Sequence, residues 1–323
     1  MIAIVLIAIA AGCASALMFA SIVSGALLSL VLFYLAPLPL MVAALGWGPL
    51  SATIGGIAAA TGLGAIFGLP YCIAFVVTVA LPAWWLGHLG LLGRPVPTSV
   101  PAGNGAAPPA PTIEWYPVGR ILLWVAGFAA LTTMGALLTL GTDGDTIIAA
   151  LRNALTRIMG PRDGAVSEDA EQLVNALVTI APAAAAIVAI STLTLNLWLA
   201  GKITATSGRL HRAWPDLKSA TLPPLTLVAL CVAIAVSFMG DVFGIFAMIV
   251  SATLMMAYAL TGFAALHTLT LGMKTRMLWL CSTYAFVLVL GWPILAMVGL
   301  GIADAFFGFR QRFLQRRPPS PVA

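Results

Sequence analysis

The first 93 residues contain no Asp, Glu, Lys or Arg. A soluble surface carries charged side chains, at roughly a quarter of all residues, so a block this long without one is stable only where its surroundings are hydrocarbon. There every backbone N–H and C=O must be paired within the chain, and a series of lipid-embedded helices meets that demand. The remainder agrees: the chain of 323 residues is 61% hydrophobic and 8% charged, with a mean hydropathy of +1.07. The expected fold is all-α, a polytopic integral membrane helical bundle of about 9–10 membrane segments.

Helix breakers divide the charge-free half, 1–93. Ser21 to Gly25, Gly46-Trp47-Gly48-Pro49 and Gly68-Leu69-Pro70 leave spans near 2–20, 26–45 (kinked at Pro37 and Pro39), 50–67 and 71–92. Ala14-Ser15-Ala16 resembles a signal-peptide cleavage site, but no basic segment precedes it and the chain stays apolar for a further seventy residues, so 2–20 reads as a retained span. Residues 94–113, rich in Pro, Ala and Gly, have too little large apolar surface to fold and read as a flexible linker. Glu114-Trp115-Tyr116-Pro117 then reads as the start of a fifth span, near 118–140.

The C-terminal membrane half, 114–309, holds a polar insert at 141–181 and a basic loop at 202–223. In the insert Ile147, Ile148, Leu151, Leu155, Ile158 and Met159 share one helical face, the pattern of a short helix lying on the membrane surface. Ser167, followed by Glu168, Asp169 and Glu171, is suited to begin the next helix, which runs through a kink at Pro182 to about Ala200. The loop carries Lys202, Arg209, His211, Arg212 and Lys218 against a single Asp216, which marks it as cytoplasmic. Spans follow at 224–239 and 243–266, with a turn at Gly240-Asp241. The last apolar stretch, 277–309, has basic residues at both ends and Gly291-Trp292-Pro293 in its middle, so a short hairpin or re-entrant pair is expected there. The tail, 310–323, is basic and both termini are expected in the cytoplasm.

The stretches Asn196-Leu197-Trp198-Leu199-Ala200-Gly201-Lys202, Ser207-Gly208-Arg209-Leu210, Trp214-Pro215-Asp216-Leu217 and Gly301-Ile302-Ala303-Asp304 carry a resemblance, as do Tyr34 to Leu40 and Leu81 to Leu86. With them the chain resembles the bacterial predicted membrane proteins of domain of unknown function 2232, in their alphaproteobacterial version. That family is similar to the substrate-binding membrane subunits of energy-coupling-factor transporters. The resemblance implies a multi-pass protein of the bacterial inner membrane that recognises a small-molecule solute, with a partner membrane protein or an energising ATPase complex. It also implies docking through small residues of the first helix, and Ala10 with Ala14, or Ala16 with Ala20, have the spacing for close helix approach; in so Ala-rich a chain plain helix packing is their first reading.

Intramembrane polar groups are the natural place to seek a solute contact, because each needs a partner. Asn196 is the leading candidate, with Thr192 one turn earlier and Trp198 nearby; packing glue is its other reading. Trp84 and Trp85 could stack on a flat ligand or belong to an interfacial aromatic belt with His88. Asp241 falls in a turn, and Asp304, about 9 Å along a helix from Arg310, reads as interfacial. Cys13, Cys72, Cys231 and Cys281 lie in apolar runs without ligand spacing, so no metal or disulfide framework is expected. The chain has no HExxH, GxSxG or GxxxxGK stretch, and neither catalysis nor a cofactor is expected. The basic clusters serve first to orient the chain; anionic lipid of the bilayer is a second reading, and nucleic acid is not an expected partner. A non-transporting scaffold that assembles other proteins remains the rival function.

Overall fold

The computed structural model describes residues 2–96, 112–159, 168–215 and 220–315. Seven helical segments among them are long and apolar enough to cross a membrane: Ile2–Ser24, Leu27–Trp47, Pro49–Phe67, Leu69–Leu91, Val118–Leu138, Glu168–Thr206 and Asp241–Leu269. An eighth is added if Ile294–Phe307 and Phe309–Gln315, bent by 63°, make one span. The all-α polytopic class stands. The figure of nine to ten is reached only by including Leu225–Met239 and Arg276–Leu290, which at 1.5 Å per residue cover about 22 Å of a core about 30 Å thick.

Two compact units are present: Met1–Ile121 with Thr192–Pro215, and Leu122–Ser191 with Asp216–Ala323. They cut across the halves expected on either side of the linker, because the end of the long helix packs with the N-terminal helices. In the first unit α1 (Ile2–Ala20) buries Ala8, Gly12, Ser15 and Phe19, a helical stripe of mostly small residues. Next come α2 (Leu27–Leu35), α3 (Pro37–Trp47) and α4 (Pro49–Phe67). Gly55 of α4 approaches so closely that a methyl group there would strike the Ala8 carbonyl, and one on Gly12 would strike Gly55 itself. Removing side chains at this crossing lets the two backbones touch, and contact of that kind holds helices together where hydrophobicity gives no preference.

After α5 (Leu69–Phe75) the helix widens into a π-bulge at Val76–Ala80 before α6 (Leu81–Leu91). Pro82 has no N–H to donate to the preceding turn, which accounts for the wider ring. The linker is shorter than expected. Its ends pair as antiparallel β1 (Gly93–Val96) and β2 (Thr112–Trp115), with Arg94 and Glu114 cross-strand partners at 2.7 Å. Glu114 therefore faces Arg94 across the strand pair, and α7 (Val118–Leu138) begins where the fifth span was expected. Residues 97–111 of the expected tether lie outside the described residues, as do Ser167, Asp216, Lys218 and the tail beyond Gln315.

In the second unit the amphipathic helix of the polar insert is α8 (Gly144–Met159). Ile147 is fully buried against Ala130, Leu137, Ala186 and Ile249, whereas Ile158, on the same expected face, is 80% exposed. Only the beginning of the helix is seated on this core. Asp143 precedes it, its carboxylate accepting from the Thr146 N–H (2.9 Å) and Thr146 Oγ1 (2.9 Å), while Asp241 accepts from the Gly144 N–H at 2.9 Å. The turn residue Asp241, held at φ 53°, thereby satisfies an N–H at the start of a helix 97 positions away.

The long helix α9 (Glu168–Thr206) passes through Pro182 unbroken. It is followed by α10 (Leu225–Val236), α11 (Asp241–Leu269), α12 (Arg276–Leu290), α13 (Ile294–Phe307) and α14 (Phe309–Gln315). The break expected in the last apolar stretch falls at Gly291, in the left-handed region at φ 72°. Helices α11 and α13 cross at glycines, since a methyl on Gly262 would strike the Met297 carbonyl and one on Gly301 the Tyr258 carbonyl.

Candidate functional site

All five residues singled out from the sequence lie in the first unit. Asn196 is fully buried on α9 and donates Nδ2 to the Tyr34 carbonyl (2.8 Å) and to the Thr192 carbonyl (2.8 Å). Tyr34 stands just before the break at Ala36, where Pro37 and Pro39 supply no N–H, and Ser15 of α1 donates to the Ala36 carbonyl in the same place. Thr192 contributes its backbone oxygen to Asn196. Trp198, two residues on, is 45% exposed. Trp84 and Trp85 pack on each other at 5.6 Å between rings, and Trp84 stacks on His88 at 6.3 Å. The amide hydrogens of Asn196 are thus engaged by backbone, and none of the five lines any of the three clefts described next.

The first cleft belongs to the second unit and measures about 250 Å³. Met248, Met255 and Met256 of α11 line it with Ala183 and Ile187 of α9 and Val298 of α13. The spacing of the three methionines, seven and then one, puts them on one side of α11, and the cleft ends where α13 begins after the Gly291 break. Its lining includes one hydroxyl, Ser251, which donates to the Ala247 carbonyl at 2.8 Å and keeps its oxygen lone pairs available. Among the described residues no ionisable side chain lines it. Unbranched, polarisable methionines adapt to the shape of what they meet, so a wall of this kind suits an apolar molecule.

A second cleft in that unit, about 490 Å³, is lined by Leu269, Leu300, Phe309, Phe313 and Arg312. Close to it in sequence is a pair of charges that the sequence reading placed apart. Gly308, at φ 61°, ends α13 and turns the chain so that Arg310 returns to Asp304. Arg310 donates Nε to Asp304 Oδ2 (2.6 Å), its backbone N–H to Oδ1 (2.9 Å) and Nη2 to the Ala220 carbonyl (3.0 Å). Both side chains are at least 96% buried, and Asp304 is paired directly with Arg310 instead of standing about 9 Å from it along a straight helix. The available signal was Gly308, a residue suited to stop a helix between the two charges.

The third cleft, about 440 Å³, lies in the first unit between α1, α3 and the end of α9, and is apolar. Three tryptophans of this unit each carry a cation from the basic segment: Lys202 over Trp214 at 4.3 Å, Arg209 over Trp47 at 5.5 Å and Arg212 over Trp115 at 5.8 Å. Arg212 also donates to the Gly90 and Tyr116 carbonyls at 3.2 and 3.1 Å, tying the end of α6 to the strand pair. Desolvation lowers its pKa, and a guanidinium nevertheless keeps its charge.

Residues 108–305, more than half of the chain, match the family described as "Predicted membrane protein (DUF2232)". The chain belongs to the DUF2232 family. The match takes in α7 to α13 almost entirely, and with them the methionine-lined cleft, Asn196, the basic segment and Asp304. Comparison with curated proteins and with solved structures gives no match. The family is one of predicted membrane proteins, in keeping with the seven apolar helices.

Proposed function

We propose that this DUF2232 protein recognises a small, uncharged, largely apolar solute in the methionine-lined cleft of its second unit, in the manner of a transporter's substrate-binding subunit. The cleft itself carries the reading. It is slightly smaller than ligand pockets of roughly 300–1,000 Å³, has one hydroxyl to orient a ligand, and adjoins a broken helix. Irregular backbone at membrane depth is tolerated where it is covered by protein or lines a cavity, and discontinuous helices form many transporter sites. With no titratable group in the lining among the described residues, proton coupling has no seat there, so in this reading energy comes from a partner such as an ATPase complex or from the solute's own gradient. In this reading the chain catalyses nothing and resides in a bacterial inner membrane with its basic segments in the cytoplasm.

The test is mass spectrometry of solvent extracts from the full-length protein purified in detergent. One small neutral compound should co-purify with the native chain and fall by about tenfold in Ala183→Phe, which fills the cleft from α9, while the unfolding temperature is retained. Equal recovery from both proteins, or none from either, overturns the reading. The scaffold alternative is favoured by one observation, that Asn196 and the small residues of α1 join helices to one another. A stoichiometric protein partner with an empty cleft would establish it.

A further inference from the structure

The groove of the first unit combines two chemistries that neither helix packing nor membrane orientation requires together. Its walls are apolar and include Ile7 and Ala10 of α1, Leu38, Val42 and Trp47 of α3, and Ile203 of α9. Arg209 lies over the Trp47 ring, and Lys202 directly precedes Ile203. Both cations are exposed, and no ion pair joins either to a carboxylate among the described residues. The imbalance is written into the sequence of the unit. Its two segments, 1–121 and 192–215, contain Arg94, Arg120, Lys202, Arg209 and Arg212 but a single acid, Glu114, which Arg94 holds.

We propose that the groove is a binding site for an anionic phospholipid, with the phosphate at Arg209 and an acyl chain along Ile7, Ala10, Leu38 and Val42. The charge-free α1 and α3 put the groove wall in hydrocarbon, where an acyl chain is the natural filling. Trp47 and Trp214 belong at the interface, where indoles lie at headgroup level, and the cations on their rings face a phosphate there. Basic residues on the cytoplasmic side meet the leaflet richest in anionic lipid, and cations with no carboxylate paired to them among the described residues have counter-charge supplied by that lipid.

Native mass spectrometry of the full-length protein tests this, with phosphatidylglycerol and phosphatidylcholine of identical acyl chains added in turn. The wild-type protein should retain one phosphatidylglycerol in roughly fivefold preference to phosphatidylcholine. Arg209→Gln should bring the ratio near unity, Arg209→Lys should keep most of it, and excess inorganic phosphate should not displace the lipid. Ala10→Phe, which fills the groove from an exposed position, should weaken retention of both lipids. Thermal unfolding of each variant reports folding, and the exposed Arg209 pair decides the question even if Ala10→Phe is unstable. Equal retention of the two lipids by the wild type, a preference that survives Arg209→Gln, or displacement by phosphate alone overturns the site. A dimer lost in Ala10→Phe with lipid retention unchanged also overturns it and gives the groove to a second copy of the chain.

Discussion

The two units repair broken helices in opposite ways. Where α2 gives way to α3, neutral groups do the work: Ser15 donates to the Ala36 carbonyl and Asn196 to the Tyr34 carbonyl, and at the next turn Ser51 donates to the Ala43 and Gly48 carbonyls. Where α13 gives way to α14, a full ion pair does it, Arg310 on Asp304, with a third bond to the Ala220 carbonyl. The difference is one of brittleness. Removing a hydroxyl or amide leaves a carbonyl short of one of its bonds, whereas removing one member of a buried pair leaves a charge with no counter-charge. The first unit should therefore tolerate loss of a repair that the second does not.

The largest expected effect tests the brittle side. Asp304→Ala should cost about 3–5 kcal/mol of stability, because Arg310 stays buried without its carboxylate. Thermal unfolding in detergent measures it, and proteolysis should strike first at α14. The double variant Asp304→Leu with Arg310→Met should recover most of the loss, since a well-packed apolar pair of similar volume dispenses with desolvation. Failure to recover would mean that the bond to the Ala220 carbonyl, rather than the pair, holds the bend.

Glycine crossings are what the two units share, and they set the middle of the scale. Gly262→Ala at the crossing of α11 and α13, and Gly12→Ala at the crossing of α1 and α4, should each destabilise by about 1–3 kcal/mol through overpacking. Similar losses in both units would show that the contrast lies in the polar repairs and not in the packing. Asn196→Ala comes next, at about 1 kcal/mol, with Tyr34 and Thr192 each losing one donor. A loss as large as that of Asp304→Ala would break the comparison outright.

How much of this was legible depends on whether the cause is local. The absence of charge from 1–93 determines the environment, and breakers such as Pro49 and Pro37 stand at helix boundaries, so the apolar segments are readable within a few residues. Asn196 could be chosen as the polar group needing a partner, yet its partner is 162 positions away and no periodicity points to it. Asp304 and Arg310 were misread because a rise of 1.5 Å per residue assumes a continuous helix, and Gly308 interrupts this one. Three methionines on α11 look like ordinary core in the sequence, since the cleft exists only once α9 and α13 supply its other walls. Pairing of Arg94 with Glu114 was hidden for a similar reason, as the linker composition speaks for its middle and not for its ends.

The smallest effect concerns a third kind of repair, exposed to water and charged, and it separates charge from burial as the source of brittleness. Asp143 caps α8, and hydrogen bonds from the Thr146 backbone N–H, then from the Thr146 hydroxyl, hold its pKa below the ordinary 3.8. A carboxylate with a lowered folded-state pKa stabilises the folded form above its unfolded value, and the contribution is lost as pH falls through the folded one. Amide exchange at Thr146 and Ile147 should accordingly be insensitive to pH changes near neutrality, after correction for intrinsic rates, and should quicken relative to Asp143→Asn only in acid well below pH 4. Because water surrounds this side chain, its removal should fray the first turn and leave the rest of α8 seated through Ile147. Unfolding of the whole second unit in Asp143→Ala would show that charge alone, without burial, makes a repair brittle, and would remove the distinction drawn between Asp304 and the neutral groups of the first unit.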